Sequence, residues 1–213
     1  MARRDVSVHD GPLTTLESQD AALVAAHAFH TDPFFGYLAP KAVARARGLA
    51  LWCNAICAHL GPNGLLLTAR REGRIVGVGA WVPPGGYPFP ASTQVAQTLG
   101  ALRALYRLPS ALPRGLRYLT AMEKAHPKDP LWYLQLLACA PEHQRSGVGA
   151  ALMGGVLARC DTEGVASYLE TQNEDNLPYY RRFGYEVSST LTPVRGGPPL
   201  WAMRREPQRH GAT

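Results

Sequence analysis

A short turn in the second half of the chain combines basic, polar and glycine residues in an order that suits phosphate binding. It joins an apolar segment to a helical one and consists of Gln144, Arg145, Ser146, Gly147, Val148 and Gly149. Backbone N–H groups at the start of a helix have no partner inside the helix, and the helix dipole is positive there. Glycine lets an anion approach the main chain, and Arg145 adds positive charge. The turn therefore predicts an anion site, although two glycines alone also fit a plain tight turn.

Other phosphate-binding patterns do not fit this turn. The Gly-Lys-Ser/Thr ending of a P-loop is missing, so nucleoside triphosphate chemistry is not supported. A dinucleotide-binding fold would place Gly-x-Gly-x-x-Gly after an early strand with an acidic residue further on, and that arrangement is also missing. The anion expected here is a diphosphate held mainly by backbone groups.

The elements that must position this turn alternate irregularly between strands and helices. Apolar alternation and turn residues predict strands over residues 5–9, 65–69, 74–82, 131–139, 166–171, 185–191 and 200–203. Helical periodicity predicts helices over residues 18–29, 41–60, 94–106, 111–124, 148–161 and 176–183. Ser18 is the expected cap of the first helix, residues 32–37 are an expected loop, and Glu72 with Gly73 is an expected hairpin turn.

Composition limits the class of protein. The chain has 213 residues, 46% of them hydrophobic and 18% charged, so we expect one folded domain over residues 1–205 with a flexible tail over 206–213. A net charge of +6 is too small and too dispersed to predict nucleic-acid binding. No apolar run is long enough to cross a membrane and no secretory signal is recognisable. The four cysteines show no metal-ligand spacing, so we expect reduced thiols, no metal and a cytoplasmic location.

Two sequence blocks resemble the GNAT superfamily of acetyl-CoA-dependent N-acetyltransferases. The turn over residues 144–149 is similar to that family's Gln/Arg-x-x-Gly-x-Gly/Ala signature. The second block, from Leu169 to Tyr185, is similar to the family's Asn…Tyr-x-x-x-Gly-Phe pattern, with Tyr185 in the usual place of phenylalanine. The resemblance implies an α/β (α+β) fold with a mixed, mostly antiparallel central sheet, splayed fourth and fifth strands, and helices on both faces.

Within that superfamily the closest similarity is to the puromycin N-acetyltransferases. It rests on residues 132–134, 141–144, 169–171, 176–180 and 201–203. This implies direct acetyl transfer to the amine of a small molecule, such as an antibiotic. Residues before Leu131 match too poorly for the acceptor pocket to be carried over. Acetylation of protein N-termini or lysines, and a non-catalytic module that binds acetyl-CoA, are the alternatives. An oligomer is compatible with the sequence.

The resemblance also implies which residues hold acetyl-CoA. The pantetheine would bond the backbone of the fourth strand at Leu137, Ala138 and Cys139, and the turn up to Ala150 would hold the diphosphate. Later in the chain, Asn173 or Asn176 would also contact acetyl-CoA, although Asn176 is equally suited to cap the helix that follows it. An apolar strand surrounds Cys139, which disfavours a nucleophilic role for its thiol.

Acetyl transfer from a thioester to an amine needs a proton acceptor for the amine and a proton donor for the departing thiolate. Tyr180, four residues before Gly184, matches the family's general acid; a core tyrosine is the alternative. Glu170, on the fifth strand, would take the amine's proton or hold its ammonium, or else would pair with Arg181 or Arg182.

Strand parity adds polar groups to the expected acceptor cleft. Tyr133 and Gln135 share one face of the fourth strand, and Trp132 and Leu134 share the other. Several aromatic side chains upstream are candidates either for the wall of an acceptor pocket or for ordinary packing: Phe34, Phe35, Tyr37 and Trp81. The arginines at positions 103, 107, 114 and 117 suit a solvated helix face or a rim for an anionic ligand.

Overall fold

The computed structural model describes residues 6–60, 64–106 and 111–208. Strands are β1 Ser7–His9, β2 Leu65–Arg71, β3 Arg74–Val82, β4 Trp132–Cys139, β5 Ser167–Thr171, β6 Glu186–Leu191 and β7 Leu200–Arg205. Helices are α1 Thr15–Ala28, α2 Pro33–Leu38, α3 Ala42–Ala58, α4 Ala91–Tyr106, α5 Leu112–Ala125, α6 Val148–Glu163 and α7 Leu177–Arg181. Arg107 and the part of the predicted tail from position 209 lie outside the described residues.

The strands form one seven-stranded sheet in the order β1-β2-β3-β4-β5-β7-β6. All neighbouring pairs are antiparallel except β4 and β5, which are parallel. The hairpin between β2 and β3 turns at Glu72 and Gly73, both with positive φ, as the sequence predicts. The predicted mixed and mostly antiparallel sheet is therefore confirmed.

The two parallel strands separate soon after they meet. Trp132, Tyr133 and Leu134 pair with residues 167–169 of β5, and the pairing ends there. Beyond this point β4 stays paired with β3 as far as Cys139, whereas β5 stays paired with β7 as far as Thr171. The edge of β4 that faces β5 is thus open over its last five residues, which confirms the predicted splay.

A bulge in β4 lies at the start of this opening. Ala80 pairs with Leu136 and Trp81 with Leu134, so Gln135 has no partner residue on β3. A bulge reverses which face the following side chains occupy. Leu136 and Ala138 therefore join the core that contains Tyr133.

Helices cover both faces of the sheet over two separate cores. On one face α1 and α3 bury Ala25, Cys53 and Ile56 against Val78 of β3. On the other face α6 and α7 pack on a core built around these fully or nearly fully buried side chains: Trp81, Trp132, Leu152, Met153, Val156, Tyr185 and Met203. All four cysteines are free thiols. The two cores meet where β4 and β5 part, and the site described below lies there.

Two boundaries near the N-terminus differ from the sequence prediction. The first helix is capped by Thr14, whose hydroxyl and backbone form a reciprocal capping box with Glu17, and not by Ser18. Residues 33–38 form α2, not a loop. The Asp32 carboxylate accepts a hydrogen bond from Phe34 N at 2.9 Å, and Pro33 fits the first helical turn. These short-range caps outweigh the loop signal of Asp-Pro and Gly.

Candidate active site

A cavity of about 560 Å³ opens where the two central strands separate. The wall of the cavity next to the expected acetyl-CoA site includes Leu137, Asn176 and Tyr180. On the side of α2, α3 and α5 it is lined by aromatic side chains and two carboxylates, among them Phe34, Phe35, Trp52, Tyr118, Asp32 and Glu123. Gln97 of α4, Gln135 of β4 and Glu170 of β5 complete the polar lining. The splay therefore joins the two faces of the sheet through one continuous space.

The structure brings the two predicted catalytic side chains to this cavity. Tyr180 lies on α7 and is 8% exposed, and Glu170 lies on β5 with its side chain 2% exposed. Burial, together with the nearby Tyr179 and Asp32, raises the pKa of Tyr180 well above its ordinary value. The phenol therefore keeps its proton, as a hydrogen-bond donor to a departing thiolate must. Tyr180 also packs edge-on against Tyr185 at 6.0 Å, so it belongs to the core and the cavity at once.

The carboxylate of Glu170 faces a histidine that no sequence motif marks. Glu170 Oε1 lies 3.8 Å from Nδ1 of His126, the C-cap residue directly after α5, and the imidazole side chain is 6% exposed. Among the described residues neither Arg181 nor Arg182 pairs with Glu170, and the Arg182 guanidinium lies over the ring of Tyr179 at 5.2 Å. His126 lies between α5 and β4, a few residues ahead of the strand that carries Tyr133 and Gln135.

Aromatic rings surround this pair. The rings of Tyr87 and His126 stack at a centroid distance of 3.8 Å, and Tyr133 and Tyr168 meet the imidazole edge-on at 4.8 and 5.0 Å. Burial, and then the charge of Glu170, raises the pKa of Tyr133 and Tyr168 far above the ordinary phenol value. We call Tyr87, His126, Tyr133 and Tyr168 the aromatic box. Its phenols stay neutral beside the carboxylate.

The bulged Gln135 extends the polar lining of the cavity. Its side-chain N–H donates to Gln97 Oε1 on α4 at 2.9 Å, while its own Oε1 is buried without a partner among the described residues. Tyr133 and Gln135 both line the cavity, and so does Leu134, which the strand parity places on the other face. An unsatisfied buried acceptor of this kind suits a donor on a bound ligand.

Two of the four aromatic candidates line the cavity. Phe34 and Phe35 do so, and Phe35 packs on Trp52 at 5.2 Å. Trp81 is fully buried in the other core, where its indole N–H donates to Leu152 O. Tyr37 lies beneath the guanidinium of Arg114 at 5.0 Å and is not among the cavity residues. Packing thus accounts for Trp81 and Tyr37.

The predicted phosphate turn runs into the start of α6, with Gln144, Arg145 and Gly147 exposed and Val148 buried. Gly147 is the residue before the helix, with φ 91° and nothing within 4 Å of where a Cβ would lie. Arg145 also has a positive φ of 57°, a conformation uncommon outside glycine. No side chain caps the helix, so its first N–H groups face the open space above Gly147. These features fit a bound diphosphate.

Gly149 packs closely against a side chain of α7. A Cβ at this position would collide with the hydroxyl of Tyr179, so the contact requires glycine. Arg71, at the end of β2, supports the same turn because its guanidinium donates to Ser146 O at 3.0 Å. Sequence reasoning missed Arg71, since it joins the turn from a distant strand.

The fourth-strand residues expected to bond pantetheine border the opening. Leu137 lines the cavity, and Leu137, Ala138 and Cys139 all lie on the stretch of β4 that β5 leaves unpaired. Burial raises the pKa of Cys139 to about 11 even though Arg71 acts in the opposite direction. A thiol with that pKa stays protonated near neutral pH, which agrees with the expectation that Cys139 is not a nucleophile.

The two asparagines have distinct surroundings. Asn173 Oδ1 accepts from Asp175 N and caps a short 3-10 turn over Glu174–Asn176. Asn176 does not cap α7 with its side chain; it donates to Thr171 Oγ1 at 3.2 Å and lines the cavity. The capping alternative for Asn176 is therefore wrong.

Within the described ranges, no three His, Cys, Asp or Glu side chains gather as a metal site. In the same part of the chain, no helix combines the length and apolarity that a membrane span requires.

Comparison with protein families and curated proteins gives consistent matches. Residues 23–185 match the acetyltransferase (GNAT) family. An uncharacterized N-acetyltransferase of Schizosaccharomyces pombe is 35% identical over 82 residues, which are 38% of this chain and 33% of that protein. N-alpha-acetyltransferase 50 of Danio rerio is 32% identical over 62 residues, which are 27% of this chain and 37% of that protein. The matches thus span about a third of these curated relatives.

Solved structures share the fold over nearly the whole chain. Histone acetyltransferase HPA2 and related acetyltransferase from Corynebacterium glutamicum has a TM-score of 0.66 at 23% identity, covering 97% of this chain and 99% of that chain. PaiA N-acetyltransferase from Thermoplasma acidophilum, in complex with coenzyme A, has a TM-score of 0.54 at 12% identity, covering 95% and 99%. At sequence identities this low, the similarity establishes a shared fold and nothing more.

Proposed function

The chain belongs to the acetyltransferase (GNAT) family, and from that premise we propose that it transfers the acetyl group of acetyl-CoA directly to the amine of a small molecule. The observation that carries the acceptor class is the buried carboxylate of Glu170 inside an aromatic-walled cavity. A carboxylate attracts an ammonium group, and aromatic faces add cation–π attraction. A small cationic amine with an apolar or aromatic body suits this space.

Acetyl-CoA would be held by this chain's own backbone. The unpaired edge of β4 at residues 137–139 would bond the pantetheine, and the open N-terminus of α6 above Gly147 would bind the diphosphate. The hydrogen bond from Arg71 to Ser146 O would keep that turn in place. When bound, acetyl-CoA supplies the activated acetyl group.

The acceptor would be bound and deprotonated by Glu170. Its carboxylate would hold the ammonium, take one proton and leave the neutral amine to attack. Tyr180, across the cavity, would donate a hydrogen bond to the leaving sulfur. Since Cys139 remains a protonated thiol, no acyl-enzyme is needed.

A panel of amines tests the acceptor class. We expect purified chain with acetyl-CoA to release free thiol with 2-phenylethylamine or puromycin, and to act at least about tenfold more slowly, by kcat/KM, on spermidine and on a peptide that begins with alanine. The reason is that, of the three carboxylates at the cavity, Glu170 alone is buried among rings, whereas Asp32 is half-buried and Glu123 is exposed. Faster turnover of the peptide would favour the N-terminal acetyltransferase alternative. Bound acetyl-CoA without turnover of any amine would favour a binding module.

Removing the Tyr180 hydroxyl tests its role. Tyr180→Phe should lower kcat by about 10- to 100-fold with little change in acetyl-CoA affinity, because it removes a donor without altering the ring. Tyr185→Phe is the matched control, because its hydroxyl is also buried but Tyr185 is not a cavity residue. Steady-state kinetics and calorimetry measure both. Equal kcat values for Tyr180→Phe and wild type would discredit the acid role.

A further inference from the structure

Glu170 lies in the wall of the cavity, where a bound substrate would separate its carboxylate from solvent. Its side chain is 2% exposed, and the phenols of Tyr133 and Tyr168 lie beside it. If the carboxylate kept the proton, it could not hold or deprotonate the next ammonium. A base in this position therefore needs a neighbour that accepts the proton in turn.

His126 has the chemistry and the geometry of such a neighbour. Imidazole is the side chain suited to accept and release protons near neutral pH. Its Nδ1 is 3.8 Å from Glu170 Oε1, and catalytic hydrogen bonds are often long without substrate and shorten in the complex. The phenols of Tyr133 and Tyr168 cannot replace it as acceptors, since each already carries its proton and burial beside Glu170 keeps it there.

The imidazole is also held in place from several elements. Tyr87, from the loop after β3, stacks on it at 3.8 Å with an interplanar angle of 34°, and Tyr133 of β4 and Tyr168 of β5 meet it edge-on. The titratable and charged groups around His126 are Tyr87, Glu123, Asp129 paired with Arg204, Tyr133, Tyr168 and Glu170. Stacking limits rotation of the ring and keeps Nδ1 on the side of Glu170.

We infer that His126 is a positioning residue and proton acceptor behind Glu170, a role that rests on the proposed function. An N–H bond of the acceptor's ammonium breaks, its electron pair stays on nitrogen, and an O–H bond forms on Glu170. That O–H bond then breaks as an N–H bond forms on the imidazole. Glu170 returns to its carboxylate, His126 becomes a cation, and the proton passes to solvent before the next cycle.

Two substitutions separate this role from packing. His126→Phe keeps a ring that stacks on Tyr87 but cannot accept a proton, and His126→Gln keeps polarity but loses the ring. We expect both to lower kcat by about 10- to 100-fold with 2-phenylethylamine, with KM for the amine and Kd for acetyl-CoA changed less than about threefold. The pH–rate profiles of both variants should differ from that of the wild type, because neither replacement can accept a proton.

The possible results separate the role of His126 from the acetyltransferase activity on which that role rests. A His126→Phe variant with wild-type kcat and pH profile, beside an impaired His126→Gln variant, would reduce His126 to a packing role and overturn the inference alone. Recovery of kcat in His126→Ala on adding free imidazole would support it further. Acetyl-CoA binding without turnover of any panel amine by wild type would overturn the proposed function, and the inference with it. Thermal unfolding of each variant identifies any loss of fold.

Discussion

Glu170→Gln should lower kcat by about two to four orders of magnitude in the acetylation of 2-phenylethylamine, the largest catalytic effect that we expect in this chain. The amide has nearly the same shape but cannot take a proton, and it no longer attracts the ammonium. KM for the amine should therefore rise as well. Because Glu170 is on β5 and the phosphate turn is before α6, acetyl-CoA affinity should stay unchanged. Stopped assays of thiol release across amine concentrations measure kcat and KM separately.

Glu123→Gln is the matched control for that substitution. Glu123 also lines the cavity, but it is exposed on α5 and water screens its charge. Its replacement should change kcat/KM by less than about threefold, since screened surface charges have small effects. Equal losses in the two variants would point to general cavity charge, and full activity of Glu170→Gln would remove Glu170 from the mechanism.

Gly147→Leu should lower acetyl-CoA affinity by at least about 100-fold, measured by calorimetry. Its Cβ would occupy the open space above the first N–H groups of α6, where the diphosphate is expected. The positive φ of 91° adds backbone strain of about 1–2 kcal/mol for a residue with a side chain. Both effects act on the same turn, so a control must separate them.

Gly164→Leu provides this separation. Gly164 follows the other end of α6 with φ 67° and also has nothing within 4 Å of a Cβ position, so the strain is similar and no ligand is expected nearby. Denaturant unfolding should give comparable losses of stability for the two variants, while acetyl-CoA binding should be lost in Gly147→Leu alone. Unimpaired binding by Gly147→Leu would refute the diphosphate assignment.

Local sequence was sufficient for the parts of the site that are continuous along the chain. The turn at residues 144–149 joins a strand to a helix, so its unpaired N–H groups follow from that junction alone. Tyr180 lies a few residues before Gly184, and a short helix brings it to the cavity. The same locality explains the confirmed β2–β3 hairpin. At α2 the local prediction of a loop was wrong, because the helix cap by Asp32 outweighed the loop signal of proline and glycine.

Long-range packing determined the parts of the site that are not continuous along the chain. The sequence by itself determined the β2–β3 hairpin and the junction of strand and helix at residues 144–149, because those features depend on neighbours in the chain; it predicted the mixed sheet only through the family resemblance. Only the tertiary structure brought His126 and Tyr87 together beside Glu170, left Gln135 unpaired in a bulge and placed Tyr179 against Gly149. These contacts join residues far apart in sequence, and they form because the splayed strands and the helices over them enclose one shared space.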